Sequence, residues 1–265
     1  MKYSIKFSVL LVCFCSVALF IVGCSANKTP STSLSPTQAV QPTSAQNEKP
    51  LAGLKICIDP GHQSQQNSEK EPVAPWDLQT LKMKAAAGTT GVDPKIPEYI
   101  VTLQISEKLK EQLVSKGAEV LLTRETPFVN LSNKERAEMG DAFGANLVIR
   151  IHCNGNDVTS VNGIEIYTRG LGDATPEYKK RSEYDYQMAN DLISYISSST
   201  GSPARGVFQK DIYSGINWST APCMIIETGY MSNPDELKKL VADDYQTKIA
   251  QGITTWLIEG KTLKR

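Results

Sequence analysis

Histidine is almost missing from this chain. Two of its 265 residues carry an imidazole, His62 and His152, so any histidine chemistry has to run through these positions. A surplus of charge is missing as well: 28 Lys and Arg stand against 28 Asp and Glu, and the basic clusters at 179–181 and 261–265 are short and local. That balance excludes the broad positive footprint of a nucleic-acid partner. Regularly spaced cysteines are lacking. Cys13 and Cys15 lie in a leading apolar stretch and Cys24 at its end, which leaves Cys57, Cys153 and Cys223, an odd set in apolar, strand-like runs. Such a set is no disulfide framework and predicts buried free thiols. Long apolar runs are absent after residue 22. The one run, 7–22, has 16 residues, short of the roughly 20 that a spanning helix needs.

What is present begins with an export signal. Lys2 and Lys6 precede the apolar run and no charge interrupts it, the build of a secretory signal that is removed from the mature chain. Ile21-Val22-Gly23-Cys24 closes the run and resembles a bacterial lipobox, which makes Cys24 the expected lipid-bearing first residue of the mature protein. Two or more acyl chains suffice for stable attachment to a bilayer. Residues 25–50 hold four prolines, nine Ser or Thr and no aromatic, too little apolar surface to fold. They read as a disordered tether with a span on the order of 30 Å. The expected organisation is a lipoprotein signal over 1–24, a Ser/Thr/Pro-rich tether over 25–50 and one folded domain over 51–265.

Within 51–265 strand-like and helix-like segments alternate without internal repeats. Strands are expected at 54–58, 119–123, 147–152, 164–167 and 223–226, with a short one at 207–209. Val101, Ile105, Leu109 and Leu113 recur every four residues from Glu98 and Gly117 closes the run, which predicts a helix. Ser132-Asn133-Lys134-Glu135 has the form of a capping box and opens a helix toward Phe143. Further helices are expected over 183–198, 235–241 and 245–258. Residues 63–97 form a polar stretch too long for a mere connection, expected to be functional or mobile. Its Gly88-Thr89-Thr90-Gly91 reads as flexible, since no Gly-Lys-Ser/Thr follows to make a phosphate loop. The alternation predicts an α/β fold, a largely parallel sheet with helices on both faces.

Both histidines stand at the carboxyl ends of strand-like runs, His62 after Ile56-Cys57-Ile58 and His152 after Val148-Ile149-Arg150-Ile151. In open α/β sheets ligands bind at that edge. Either histidine alone is more often a structural residue; both on one expected edge point to a site. Glu98 lies three residues before Val101 and seven before Ile105, on the apolar face of its helix. A buried carboxylate needs a partner, and a divalent cation is one; a helix-opening acid with its head in solvent is the alternative. Together His62, Glu98 and His152 make an open His₂Glu set that suits catalytic Zn²⁺, with water in the fourth position. Glu227 ends the apolar run Met224-Ile225-Ile226 and is assigned as general acid/base beside the metal. Its structural alternatives are pairing with Arg150 or capping Thr228-Gly229. Asp59 either orients His62 or forms the turn before Pro60-Gly61. Cys153 is set aside as a ligand, because adjacent strand residues face opposite sides.

Four segments in order, Ile58-Asp59-Pro60-Gly61-His62, the helix-opening Glu98, Ile149-Arg150-Ile151-His152-Cys153-Asn154, and Ile226-Glu227-Thr228-Gly229-Tyr230-Met231-Ser232-Asn233, resemble the motifs of the zinc-dependent N-acetylmuramoyl-L-alanine amidases. Leu122-Thr123-Arg124 and Arg205-Gly206-Val207 fall where that family has them. The resemblance covers about 54–257. It implies a single domain with a twisted, mixed six-stranded sheet, Zn²⁺ on His62, Glu98 and His152, Glu227 as the catalytic acid, and hydrolysis of the amide between N-acetylmuramic acid and L-alanine in peptidoglycan. With Cys24 lipidated, the enzyme is expected as a monomer anchored to the outer face of the cell membrane and facing the wall. Gln63 stands where many members have glycine, and the long 63–97 stretch is expected to form one lip of the groove with Trp76, Lys82 and Lys84. A zinc peptidase acting within the stem peptide, and a wall-binding lipoprotein without catalysis, are the other readings of the same residues.

Overall fold

The computed structural model describes residues 49–173 and 175–260. The expected signal peptide, Cys24 and nearly all of the expected tether lie outside the described residues. Fourteen elements follow in order: β1 (Lys55–Pro60), β2 (Asn67–Ala74), β3 (Asp77–Ala85), α1 (Glu98–Ser115), β4 (Glu119–Leu122), α2 (Asn133–Phe143), β5 (Leu147–Asn154), β6 (Ile164–Arg169), α3 (Pro176–Thr200), β7 (Ala204–Lys210), α4 (Ser214–Asn217), β8 (Cys223–Tyr230), α5 (Pro234–Leu240) and α6 (Asp243–Glu259).

Six strands form one mixed sheet in the order β4-β1-β5-β8-β6-β7. The first four run parallel, β6 runs antiparallel to β8, and β7 is parallel to β6. Strand alternation divides the side chains between the faces. Ile56, Ile58, Leu147, Ile149, Ile151, Met224 and Ile226 enter the larger core under α1, α3 and α6. Cys57, Val148, Cys223 and Ile225 enter a smaller one on the side of α2 and α4. This is the expected α/β architecture with helices on both faces. Cys57, Cys153 and Cys223 are buried free thiols, as anticipated.

Local chemistry sets the helix ends. The capping box opening α2 is complete: Ser132 Oγ accepts from the Glu135 amide at 3.1 Å and Glu135 Oε2 accepts from the Ser132 amide at 2.7 Å. Gly144 closes α2 in the left-handed region at φ 71°. Helix α3 starts at Pro176, well before the expected residue 183, because Thr175 caps it and proline suits the first turn. The strand expected over 223–226 runs further, since β8 continues to Tyr230. Helix α4 went unanticipated; one turn leaves no periodicity to read. No helix among the described residues is long and apolar enough to cross a membrane.

The largest correction concerns residues 63–97. Most of that stretch is the antiparallel hairpin β2–β3, whose charged outer positions hid its strand character. It is fastened to the body at several points. Glu71, 4% exposed, accepts from the Lys134 amide at 3.1 Å. Trp218 Nε1 donates to the Pro72 carbonyl at 2.9 Å, and Asn217 Nδ2 to the Val73 carbonyl at 3.0 Å. Trp76 meets Tyr178 edge to face at 4.6 Å. Such anchoring makes the hairpin a fixed wall and not a mobile loop.

Candidate functional site

Strand β1 ends at Asp59-Pro60, and Gly61-His62 turns the chain across the sheet edge. His62 takes φ 61°, the left-handed region that β-carbon sterics disfavour, and among the described residues no other non-glycine does so. Two buried arginines hold this turn. Arg124 donates to the carbonyls of Pro60 and Gly61 at 3.0 and 2.9 Å, and Arg136 to those of Pro60 and His62 at 3.0 and 3.2 Å. Asp59 lies beneath them. It pairs with Arg136 at 2.8 Å and Arg150 at 2.7 Å and accepts a hydrogen bond from Thr123. Burial alone would raise the Asp59 carboxyl; the two guanidiniums outweigh it and hold it far below the usual carboxylate range. Asp59 therefore neither orients the His62 ring nor serves chiefly as a turn former. It neutralises the arginines that fix the His62 backbone.

The His62 ring is oriented from elsewhere, by the Ala86 carbonyl that accepts from Nδ1 at 2.9 Å. That bond leaves Nε2 as the ring nitrogen directed at the cluster, 3.3 Å from Glu98 Oε1. His152, on β5, places Nδ1 3.2 Å from the same oxygen. The two rings meet edge to face with centroids 4.8 Å apart. Glu98 opens α1 and is 3% exposed, so its head is not in solvent. Its carboxylate is aimed by backbone donors, the Cys153 amide at 3.0 Å on Oε1 and the Thr89 amide at 2.8 Å on Oε2. Gly88 permits this approach: a Cβ there would lie 2.7 Å from His62 Cγ and 2.8 Å from Glu98 Oε2. The segment expected to be flexible thus packs on the cluster itself.

Burial acts differently on the three groups. It pushes His152 down to about 4, with the bond to Glu98 only partly compensating. For His62 burial also lowers proton affinity, but Glu98 and the Ala86 carbonyl reverse it and leave a net rise. For Glu98 burial would raise the carboxyl, and hydrogen bonds from His152 and His62 hold it low. One atom of each residue, all within 4.8 Å of one another, could hold a metal ion. Cys153 points into the larger core, where its Sγ lies 3.3 Å from Thr228 Oγ1.

Glu227 stands on β8 in register with His152 on one side and Glu165 of β6 on the other. Arg150 is taken up by Asp59 and Asn133, so the alternative pairing of Glu227 with Arg150 does not occur. Glu227 Oε2 is buried with no hydrogen-bond partner among the described residues. Burial, then the charges of Glu98 and Glu165, push its carboxyl well above the usual range. Glu165 was not anticipated as a site neighbour, although a charge inside the apolar run 164–167 was the available signal. It is itself fully satisfied, by Arg205 Nε at 2.8 Å, Tyr230 and Tyr167 hydroxyls at 2.7 Å each, and Asn154 at 3.1 Å.

His62, His152 and Glu227 line a groove of about 550 Å³, floored by Arg150 and walled on one side by the hairpin. Of the three residues expected at that lip, Lys82 lines the groove, Lys84 is tied to Glu69 at 2.6 Å, and Trp76 packs on Tyr178.

Residues 56–259 match the profile of a family described as N-acetylmuramoyl-L-alanine amidase. The N-acetylmuramoyl-L-alanine amidase LytC of Bacillus subtilis (strain 168) is 27% identical over 209 residues, 78% of this chain and 36% of LytC. Among solved structures, the catalytic domain of CwlV, an N-acetylmuramoyl-L-alanine amidase from Bacillus (Paenibacillus) polymyxa var. colistinus, superposes with TM-score 0.61 at 26% identity, over 80% of this chain and 99% of that one. Ami1 from Mycobacterium smegmatis shares the fold, with TM-score 0.69 at 19% identity over 78% and 96% of the two chains.

Proposed function

The chain belongs to the N-acetylmuramoyl-L-alanine amidase family, and from that premise we propose that it is a metal-dependent hydrolase cutting the amide between N-acetylmuramic acid and L-alanine in peptidoglycan. The observation that carries this reading is the convergence of His62, Glu98 and His152 at a groove that also holds Glu227, whose Oε2 is buried and unpartnered.

The donor set fits a cation. His152 Nε2 is buried without a partner. His62 Nε2 faces Glu98 Oε1 at 3.3 Å, a gap that a proton on Nε2 bridges and that a cation could bridge in its place. Two neutral imidazoles and one carboxylate match the ligand preference of catalytic Zn²⁺. Bound there, the ion would supply Lewis-acid polarisation of the substrate carbonyl and acidify a water.

The protein's own groups do the rest. Glu98 is held by the Cys153 and Thr89 amides, and His62 by Ala86, so the ligands are preorganised. Glu227 accepts the proton of the attacking water and returns it to the departing L-alanine nitrogen. Such transfer contributes on the order of 10² to 10⁴ in rate. The burial that raises its proton affinity also makes its ionised form a strong base.

The test is mass spectrometry of defined muropeptides with and without chelator. New L-alanine-terminated stems that vanish on chelation and return with Zn²⁺ are expected; cuts within the stem would sink the amidase reading in favour of the peptidase. Export and anchoring are part of the same proposal, supported by Lys2, Lys6, the run 7–22 and the Ile21–Cys24 segment. Lipid labelling should be lost in Cys24→Ser, and labelling that survives the change would refute the anchor.

A further inference from the structure

The groove is lined from the hairpin by Lys70 and Lys82, with Leu81 and Met83 beside them, and from the loop before α4 by Ile212 and Tyr213. Neither Lys70 nor Lys82 has an ion-pair partner among the described residues, whereas Lys84 is neutralised by Glu69. Glu71 of β2 stands directly opposite Lys82 in the hairpin register, but its carboxylate is buried against the Lys134 amide and forms no ion pair with Lys82. Lys70 stands opposite Met83 on the other face of the ribbon, so the hairpin presents one unpaired ammonium from each face, on a wall whose backbone is fastened to α2 and α4.

A muramoyl amide is unevenly charged along its length. The lactyl carboxyl is consumed in the scissile bond, so the sugar side carries no charge. The stem peptide continues through acidic residues with free carboxylates. We propose that the β2–β3 hairpin is the wall along which the stem peptide lies, and that Lys70 and Lys82 pair with its carboxylates, so that the enzyme selects stems with free acids over amidated stems. This assignment rests on the amidase reading and adds to it the wall that holds the stem and the feature selected. Because both lysines are exposed, the pairing is screened by salt and acts mainly on substrate capture.

The experiment compares two muropeptides that differ only in the second-residue carboxylate, free or amidated. Wild-type enzyme is expected to favour the free acid, with the advantage shrinking as salt rises. In K70E/K82E, kcat/KM on the free acid should fall about tenfold or more through KM, and on the amide by less than about threefold, tenfold being roughly what one or two exposed charge pairs supply. K70Q/K82Q, which repels nothing, should fall between, and provides the comparison if the double reversal folds poorly. Equal losses on both substrates, or none on either, overturn the hairpin assignment while leaving the amidase reading intact. Wild-type enzyme that releases no stem from either substrate overturns the amidase reading first and this assignment with it.

Discussion

At the scale of single residues, Glu227 sits where its charge destabilises the metal-free fold. Burial and the neighbouring Glu98 and Glu165 charges raise its carboxyl. A raised folded value means that stability is fully present below the ordinary glutamate value of 4.5 and is lost as pH rises through the folded value. In chelated protein, Glu227→Gln should therefore raise Tm at pH 7 and leave it unchanged near pH 4, while in metal-loaded protein it removes on the order of 10² or more of turnover. Calorimetry at the two pH values, paired with a rate assay, checks both halves. Asp59 has the opposite sign. Its depressed carboxyl contributes stability above the ordinary aspartate value of 3.8 that is lost as pH falls. Asp59→Asn leaves Arg136 and Arg150 buried against a neutral amide and should cost about 3–5 kcal/mol, read from urea unfolding. The variant should also lose much of the wild type's acid sensitivity.

At the scale of elements, the three clustered residues were legible because each stands on or beside a segment with a clear period. His62 and His152 follow apolar runs, and Glu98 shares a face with Val101 and Ile105. The supports were not. Thr89 reaches Glu98 through a backbone amide, and Ala86 reaches His62 through a carbonyl; neither contact depends on side-chain identity, so no motif could record it. Arg124 and Arg136 act on carbonyls of a turn more than sixty residues upstream. The hairpin escaped notice because polar residues interrupt the apolar ones along both strands and no period of two stands out. Gly88 gives this a test. Alanine there would meet His62 and Glu98 at under 3 Å and take an unfavourable φ of 82°. Gly88→Ala should weaken metal affinity by about tenfold or more, measured by competition with a coloured chelator; unchanged affinity would show that the segment is as loose as its sequence suggests.

At the scale of the molecule, the α/β class and the single sheet followed from alternation of strand and helix, since that pattern depends only on which faces are buried. The antiparallel placement of β6 and β7 did not follow, because strand direction leaves no trace in composition. The three residues of the cluster come from the turn after β1, from α1 and from β5. A bound cation would thus tie together elements that the chain brings together only on folding. With free metal at about 100 times its Kd, the linkage is worth about 2.7 kcal/mol, or ~5–10 °C in Tm for a domain of this size. Thermal scans with and without chelator should show that difference in wild-type protein and lose it in His62→Ala.

The same anchoring has a consequence for how such a domain can diversify. His62 is fixed by arginines from outside the hairpin and by Ala86 just past its end, and Glu98 by Thr89 and Cys153. Everything from 67 to 85 therefore lies between two separately fastened ends and supplies no ligand. That span is an exchangeable cassette: it can be lengthened, shortened or recharged to suit a differently decorated wall, while the chemistry beside it is inherited unchanged.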